Sequence, residues 1–225
     1  MDNKQKMKVE IWSDIACPFC YIGKKNYEKA LESFADASDI ELEWYSFQLD
    51  PTIPKEGNEG IDMVTYLEQS KGMPASQIQE MFGNISEMGK TAGIEFNFDK
   101  SVIANTMDAH RLLQLAKTKG LSNEAEGVLF KAYFTDGVDI GNLEELKSLG
   151  LSIGLEAADL DRVLNSDEFS YEVNQDIREG ANIGVQGVPF FVLNRRYGIS
   201  GAQPVGAFLE TISKAFSEWK EQPNS

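Results

Sequence analysis

The chain has 225 residues, of which 42% are hydrophobic and 10% aromatic, enough to form a buried core in one domain or in one domain with a large insertion. Its 36 acidic and 21 basic residues give a formal net charge of -15, which argues against nucleic acid and anionic membranes as partners. No run of about 18 apolar residues is present, so no membrane span is expected. Residues 1–6 are polar and lead directly into a predicted strand, from which we expect no secretion signal and a cytoplasmic location.

The beginning of the chain predicts a strand, a helix and a second strand. Apolar and polar residues alternate over residues 8–13, as expected for a strand. Pro18 fits the first position of the following helix, which we expect to end near Ala35. Residues 40–47 alternate again and predict the second strand. This order predicts a parallel pair of strands joined by a right-handed crossover.

Both cysteines of the chain, Cys17 and Cys20, lie between the first predicted strand and the helix, in a Cys-Pro-Phe-Cys motif. Unpaired backbone N–H groups and the helix dipole at a helix N-terminus stabilise a thiolate over a thiol, so we expect a reactive cysteine. A structural zinc site takes four ligands, and the chain offers one histidine besides the two cysteines, so no metal site is predicted within one chain. Two chains could still share four thiolates across a dimer axis, and we expect a monomer or a homodimer.

The middle of the chain, residues 59–182, is predicted to be an inserted helical domain, because helical patterns alternate there with glycine-rich breaks. Residues 1–58 and 183–225 then form a second, discontinuous domain. Residues 94–98 are the one predicted extended piece. Asn142 and Glu145 resemble the capping box that begins many helices.

The end of the chain returns to β structure. Residues 188–193 predict a strand, residues 194–196 a turn, and residues 197–200 the returning strand of a hairpin. A last helix is predicted over residues 205–220, and its apolar face, which includes Phe208, is expected to pack on the sheet.

Three segments together resemble the FrnE-like branch of the DsbA-type thioredoxin-fold proteins: residues 13–23, which contain the motif, residues 105–112, Asn-Thr-Met-Asp-Ala-His-Arg-Leu, and residues 187–191, Gly-Val-Pro-Phe-Phe. The resemblance implies an α/β protein with a thioredoxin fold and a large inserted all-helical domain. It implies a thiol-disulfide oxidoreductase in which Cys17 is the exposed nucleophile and Cys20 the buried resolving thiol. It also implies that Pro189 is a cis-proline facing the pair, which would leave the backbone of Val188 free to bind an extended substrate.

Four further residues are candidates for the site. Phe19 stands where strongly oxidising DsbA proteins carry histidine, so we expect a less oxidising pair and an exposed side chain that meets substrate. Pro18 lies within the motif. Asp14, three residues before Cys17, either caps the turn before the helix, which we favour, or tunes the thiols. His110 is either a hydrogen-bonded structural residue or a group that lines the site near the thiols.

The resemblance implies disulfide- or dithiol-containing proteins or small molecules as substrates, no cofactor beyond the redox-active pair, and glutathione as a candidate co-substrate. Two alternative functions remain open at this point. One is a glutathione-dependent isomerase or kappa-class transferase-like enzyme, although such relatives typically have serine where Cys17 stands. The other is a binding adaptor in which the thiols act as a redox switch. Turnover of a disulfide substrate separates the adaptor from the enzymes.

Overall fold

The fold is built around a four-stranded mixed sheet. The computed structural model describes residues 5–55 and 61–221. The strands are β1 (Met7–Ser13), β2 (Ile40–Ser46), β3 (Phe190–Leu193) and β4 (Tyr197–Ser200). They lie in the order β2-β1-β3-β4, with β1 parallel to β2 and the other two neighbouring pairs antiparallel. The predicted parallel pair and the predicted hairpin are both confirmed.

Nine α-helices lie within the described residues. They are α1 (Pro18–Glu32), α2 (Met63–Lys71), α3 (Ala75–Ala92), α4 (Met107–Thr118), α5 (Ser122–Lys131), α6 (Leu143–Ser152), α7 (Ala157–Leu164), α8 (Ser170–Asn182) and α9 (Val205–Lys220). Helix α1 ends three residues before the expected Ala35, because the N–H groups of Ser33 and Phe34 bond to the carbonyls three residues back instead of continuing the helical ladder. No described helix is both long and apolar enough to cross a bilayer.

Helices α1 and α9 cover one face of the sheet. The ring of Tyr27 on α1 lies between Phe191 of β3 and Phe208 of α9, with centroid distances of 5.7 and 5.9 Å. All three side chains are buried. The apolar face predicted for the last helix therefore packs on the sheet, as expected.

Helix α8 covers the opposite face and is held there by Trp12 of β1. The indole N–H of Trp12 donates to the backbone oxygen of Asp176 on α8 at 2.9 Å. A Cβ atom at Gly180 would lie only 2.8 Å from the same indole ring, so glycine is required for this close approach. Because β1 is covered on both faces, all of its residues except Lys8 are buried. The alternation of apolar and polar residues in its sequence therefore does not correspond to an alternation of buried and exposed side chains.

The helical insertion has a buried core that continues into the residues around the two cysteines. Residues 94–98, predicted to be extended, form no strand in the described chain, since the N–H of Asn97 bonds to the backbone oxygen of Phe134 in a helical segment and not to a neighbouring strand. The side chain of Asn142 accepts from the N–H groups of Glu144 and Glu145, as expected for the cap of α6. The predicted boundary between residues 58 and 59 lies outside the described residues.

Candidate active site

The Cys-Pro-Phe-Cys motif begins helix α1. Cys17 is the N-cap residue with an extended backbone, and Pro18 occupies the first helical position, as predicted. The backbone oxygen of Cys17 accepts from the N–H groups of Cys20 at 3.0 Å and Tyr21 at 3.4 Å. The sulfur of Cys17 therefore lies at the positive end of the helix, where backbone N–H groups have no helical partner.

The bond between Val188 and Pro189 is cis, as predicted, and it lies beside Cys17. The thiol of Cys17 donates to the backbone oxygen of Val188 at a sulfur–oxygen distance of 3.5 Å. The expectation that the Val188 backbone is free is therefore wrong for its carbonyl, because the nearby thiol uses it as an acceptor. Gly23 of α1 allows this approach, since a Cβ atom there would lie 3.0 Å from Cγ of Pro189.

The two cysteines are both buried free thiols, with 4% of Cys17 and 1% of Cys20 exposed. The buried position of Cys20 matches the expectation, whereas the expectation that Cys17 is exposed is wrong. Cys17 lines a cavity together with residues of the insertion and of the loop after β2. Phe19, in contrast, has 36% of its surface exposed, as predicted.

The surroundings of Cys20 favour the protonated thiol. Burial raises the pKa of Cys20 well above its ordinary value, and the neighbouring sulfur of Cys17 raises it further. The backbone N–H of Asp14 and the hydroxyl of Ser13 act in the opposite direction without cancelling this effect. Cys20 therefore holds its proton at neutral pH, as expected for a resolving thiol that acts second.

Asp14 organises the loop before the motif and is itself 1% exposed. One carboxylate oxygen accepts from the N–H of Leu49 at 2.7 Å, and the other accepts from the N–H of Ala16 at 3.4 Å. The second oxygen also lies 3.3 Å from Nε2 of His110. The capping interpretation of Asp14 is therefore supported, and the same side chain ties the loop after β2 to the motif.

His110 lies on α4 and is completely buried behind Asp14, and it is absent from the lining of the cavity. Burial lowers its pKa, but the hydrogen bond to Asp14 and the charges of Asp14 and Glu126 outweigh burial and leave the pKa raised. Glu126 on α5 is also buried, and burial raises its pKa to about 8 against the opposing effect of His110 and Lys24. The geometry thus favours the structural interpretation of His110.

A cavity of about 400 Å³ lies between the motif and the insertion. Its walls are mostly apolar and come from the motif, the loop after β2, helices α2 and α3, the segment before α4 and the π-helical turn at Ala132–Asp136. They include Cys17, Phe19, Leu49, Ile53, Met63, Tyr66, Leu67, Met73, Met81, Phe82, Ile85, Phe98, Ile103, Ala104, Tyr133, Phe134 and Val188. The cavity falls in the size range of sites for small organic ligands.

The family model for the DSBA-like thioredoxin domain matches residues 8–213. This range is most of the chain and includes both thiols and the cis-proline. The chain belongs to the DSBA-like thioredoxin domain family. A mixed sheet with helices on both faces and a large helical insertion, as predicted, agrees with this assignment. The family assignment identifies the chain as a thiol oxidoreductase of the DsbA type, in which a redox-active cysteine pair takes the place of a cofactor.

Individual relatives of this DSBA-like chain agree with the family. A crystal structure of a probable DsbA oxidoreductase from Streptomyces coelicolor is 37% identical, covers 97% of this chain and 92% of its own, and superimposes with a TM-score of 0.89. YwbO from Bacillus subtilis is 26% identical over 207 residues, which are 91% of this chain and 95% of YwbO. The cytosolic disulfide reductase DsbM from Pseudomonas aeruginosa, solved with glutathione, shares the fold at 17% identity, with a TM-score of 0.60 and coverage of 95% and 97%.

Residues 105–112 of the DSBA-like chain connect the insertion to the motif. Asn105 donates from its side-chain amide to the backbone oxygen of Ile53 at 2.6 Å, His110 reaches Asp14, and Arg111 binds the backbone oxygen of Glu168 at 2.8 Å. These contacts give a structural reason for the polar residues in a segment that otherwise forms a buried helix.

Sequence reasoning missed the cavity residues of α2 and α3. Three of the seven methionines of the chain, Met63, Met73 and Met81, lie within 19 positions of one another and line the cavity. Such a concentration of methionine beside aromatic residues is a usable signal for an adaptable apolar site. Within the described residues, no group of three or more histidine, cysteine, aspartate or glutamate side chains is arranged to hold a metal ion.

Proposed function

We propose that this protein is a dithiol-disulfide oxidoreductase in which Cys17 is the nucleophile and Cys20 the resolving thiol. The observation that carries the proposal is the position of the Cys17 sulfur, at the N-terminus of α1, beside the cis bond at Pro189 and at the wall of a cavity. Cys20 lies one helical turn further on, so the two sulfurs can form a disulfide with little movement of the helix.

The proposed reaction is two successive thiol-disulfide exchanges. The Cys17 thiolate attacks one sulfur of a substrate disulfide, the substrate S–S bond breaks, and the departing sulfur takes up a proton as a thiol. Cys20 then loses its proton and attacks the Cys17 sulfur, which releases the second substrate thiol. Two electrons pass from the protein to the substrate, and the protein is left with a Cys17–Cys20 disulfide. The same steps run in reverse oxidise a dithiol substrate.

The other candidate residues have supporting roles in this proposal. Phe19, Val188 and Pro189 form the surface that meets substrate beside Cys17, and Pro18 fixes the start of the helix. Asp14 and His110 act behind the motif, where they hold the loops that position Cys17. Because the nucleophile is a cysteine and not a serine, disulfide exchange is favoured over the isomerase or transferase chemistry of related enzymes.

We further propose that the chain belongs to the FrnE-like branch and works in the cytoplasm, with residues 1–58 and 183–225 as the thioredoxin unit and residues 59–182 as the insertion. An apolar Phe19 between the thiols supports a pair suited to a reducing compartment. Glutathione is the proposed reductant of the Cys17–Cys20 disulfide. Binding of glutathione by DsbM, which shares the fold, supports testing it first.

Reduction of insulin by dithiothreitol, followed by turbidity, tests the proposal with the matched variants Cys17→Ser and Cys20→Ser. We expect the wild-type chain to accelerate reduction and Cys17→Ser to abolish the acceleration. In a separate incubation of the reduced variant with insulin and without dithiothreitol, Cys20→Ser should accumulate a mixed disulfide between Cys17 and insulin, visible by mass spectrometry, because the Cys20 thiol that would release it is missing. Equal activity of wild type and Cys17→Ser would overturn the proposal.

A further inference from the structure

The cavity above Cys17 has a buried apolar end. Ile85, Ile103, Ala104, Tyr133 and Phe134 line it, and each is at most 3% exposed. Phe19 and Leu49, which are 36% and 44% exposed, line the same cavity and stand at its open side. The space therefore extends from an open side beside the motif to a buried apolar end, as small-molecule sites commonly do.

The two carboxylates that line the cavity already have hydrogen-bond donors within the protein. Asp14 accepts from the N–H groups of Leu49 and Ala16, and Asp50 accepts from the N–H of Thr52 at 2.9 Å and from the hydroxyl of Tyr66. A peptide in this space would bury its own N–H and C=O groups among mostly apolar side chains, which is unfavourable for each group left without a partner. An apolar ligand does not incur this cost.

The charge of the site disfavours anions. Two carboxylates, Asp14 and Asp50, line the cavity against one ammonium group, that of Lys71, and the whole chain carries a formal net charge of -15. An anionic disulfide, such as glutathione disulfide, would approach against this field and would lose hydration on entry. A neutral molecule meets neither barrier.

We propose that this cavity binds a small, neutral, largely apolar organic disulfide and holds it against the sulfur of Cys17. The inference rests on the proposed function and adds the class of substrate to it. The disulfide bond of the ligand is broken by Cys17, one half leaves as a thiol with a proton, and Cys20 releases the other half as a second thiol. After both thiols have left, the Cys17–Cys20 disulfide is reduced by two molecules of the proposed reductant glutathione, each with half the charge of glutathione disulfide, or by one dithiothreitol in the test below. The flexible side chains of Met63, Met73 and Met81 suit a wall that adapts to apolar groups of different shape.

The kinetic test compares two neutral disulfides, the aromatic dithiodipyridine and the small polar bis(hydroxyethyl) disulfide, with dithiothreitol as recycling dithiol. Each rate is divided by the rate of the same disulfide with dithiothreitol alone, which corrects for intrinsic reactivity. We expect kcat/KM for the aromatic disulfide to exceed that for the polar one by at least about tenfold, because only the aromatic groups fill the apolar end.

Variants that fill the cavity locate the effect. Met81→Trp on α3 and Leu67→Trp on α2 place a larger side chain in the cavity, and both should raise KM for dithiodipyridine about tenfold or more. Met88→Trp is the matched control, because Met88 lies on α3 but is 41% exposed and does not line the cavity. It should leave the kinetics of both disulfides at wild-type values.

A binding measurement separates this inference from the proposed function. Fluorescence of neutral phenylnaphthylamine is titrated with the Cys17→Ser chain, which cannot perform exchange but keeps the cavity. We expect saturable binding that is lost on addition of Met81→Trp and retained on addition of Met88→Trp.

Absence of binding overturns the inference, as does equal corrected turnover of both disulfides by an active wild-type enzyme. If Met81→Trp slows insulin reduction and dithiodipyridine reduction by the same factor, the cavity receives a protein side chain and the inference is wrong. If the wild-type chain shows no exchange activity although the cavity binds the probe, the proposed function is wrong instead.

Discussion

Cys17 and Cys20 are one helical turn apart, yet their surroundings differ in a way that fits two chemical roles. The sulfur of Cys17 contacts the Val188 carbonyl and lines the cavity, so a ligand in that cavity reaches it. The sulfur of Cys20 is enclosed by protein, and burial raises its pKa. An alkylating reagent small enough to enter the cavity should therefore modify Cys17 far faster than Cys20, because attack requires both access and a thiolate.

Phe19 offers the sharpest test of redox tuning at the level of one residue. Replacing it by histidine places a titratable group between the thiols, and a histidine cation there stabilises the Cys17 thiolate of the reduced form. We expect Phe19→His to make the reduction potential of the pair less negative, that is, more oxidising, and the difference from wild type to grow as the pH is lowered through the range in which histidine becomes charged.

Equilibration against glutathione redox buffers measures this change, with Phe19→Tyr as the control that keeps an aromatic ring without a cation. A wild-type potential as oxidising as that of the strongly oxidising DsbA proteins would contradict the expectation made from Phe19. So would a Phe19→His potential that equals the potential of Phe19→Tyr.

At the level of elements, helix α4 is the piece that joins the insertion to the motif. His110 faces Asp14 on one side, and Arg111 reaches the segment between α7 and α8 on the other. The guanidinium of Arg111 donates to the backbone oxygens of Val163, Ser166 and Glu168 and to the carboxylate of Asp108. Arg111 is 1% exposed, and its bond to the Val163 carbonyl is fully buried, so water cannot readily replace the guanidinium there.

Arg111→Met should therefore lower the free energy of unfolding by about 2–4 kcal/mol, because it leaves the buried carbonyl of Val163 and two partly buried carbonyls without a donor and removes the closer partner of Asp108. Arg162→Met on α7 is the matched control. Arg162 also pairs with acidic side chains, but it is 48% exposed, and its loss should cost at most about 1 kcal/mol. Urea unfolding followed by circular dichroism measures both. Equal shifts of the two midpoints would show that the buried contacts of Arg111 add no stability.

The elements that the sequence predicts well are those whose signals are local. Pro18 predicts the start of α1, and the alternating residues of β2 predict that strand, each from a pattern only a few residues long. The predicted bounds of α9 agree with the observed helix. The burial of Cys17 could not be predicted in this way. It depends on α2, α3 and the loop after β2, which are between about 30 and 75 positions away along the chain and meet the motif only in the folded protein.

The same limit applies to Asp14 and His110. The sequence identified Asp14 and His110 but left their roles open, because the 96 positions between them conceal that they are 3.3 Å apart. The sequence does not distinguish Glu126, since a glutamate on a helix is normally exposed. Its burial follows from the packing of α5 against α4 and from the stacking of Phe130 of α5 on Tyr21 of α1.

For the molecule as a whole, Glu126 connects stability to pH. Its pKa is raised in the folded chain from the ordinary 4.5 to about 8, chiefly by burial, with His110 and Lys24 opposing and Asp14 adding to the shift. Between these two values the folded chain binds a proton that the unfolded chain has released. The contribution of Glu126 is therefore fully present below about pH 4.5 and is lost as the pH rises to about 8. His110 contributes in the same direction, because its pKa is also raised in the folded state.

We expect the free energy of unfolding to fall across this range, with a slope of up to about 1.4 kcal/mol per pH unit from Glu126 alone. Glu126→Gln removes the titrating group and should flatten the profile, so that the variant gains stability relative to wild type as the pH rises from 5 toward about 8. Glu124→Gln on the same helix changes an exposed side chain and should leave the slope of the wild type unchanged. Urea unfolding at a series of pH values gives all three profiles. The difference in the free energy of unfolding between Glu126→Gln and wild type could instead stay constant with pH. That result would mean that Glu126 is ionised in the folded chain across the whole range, because His110 and Lys24 offset its burial.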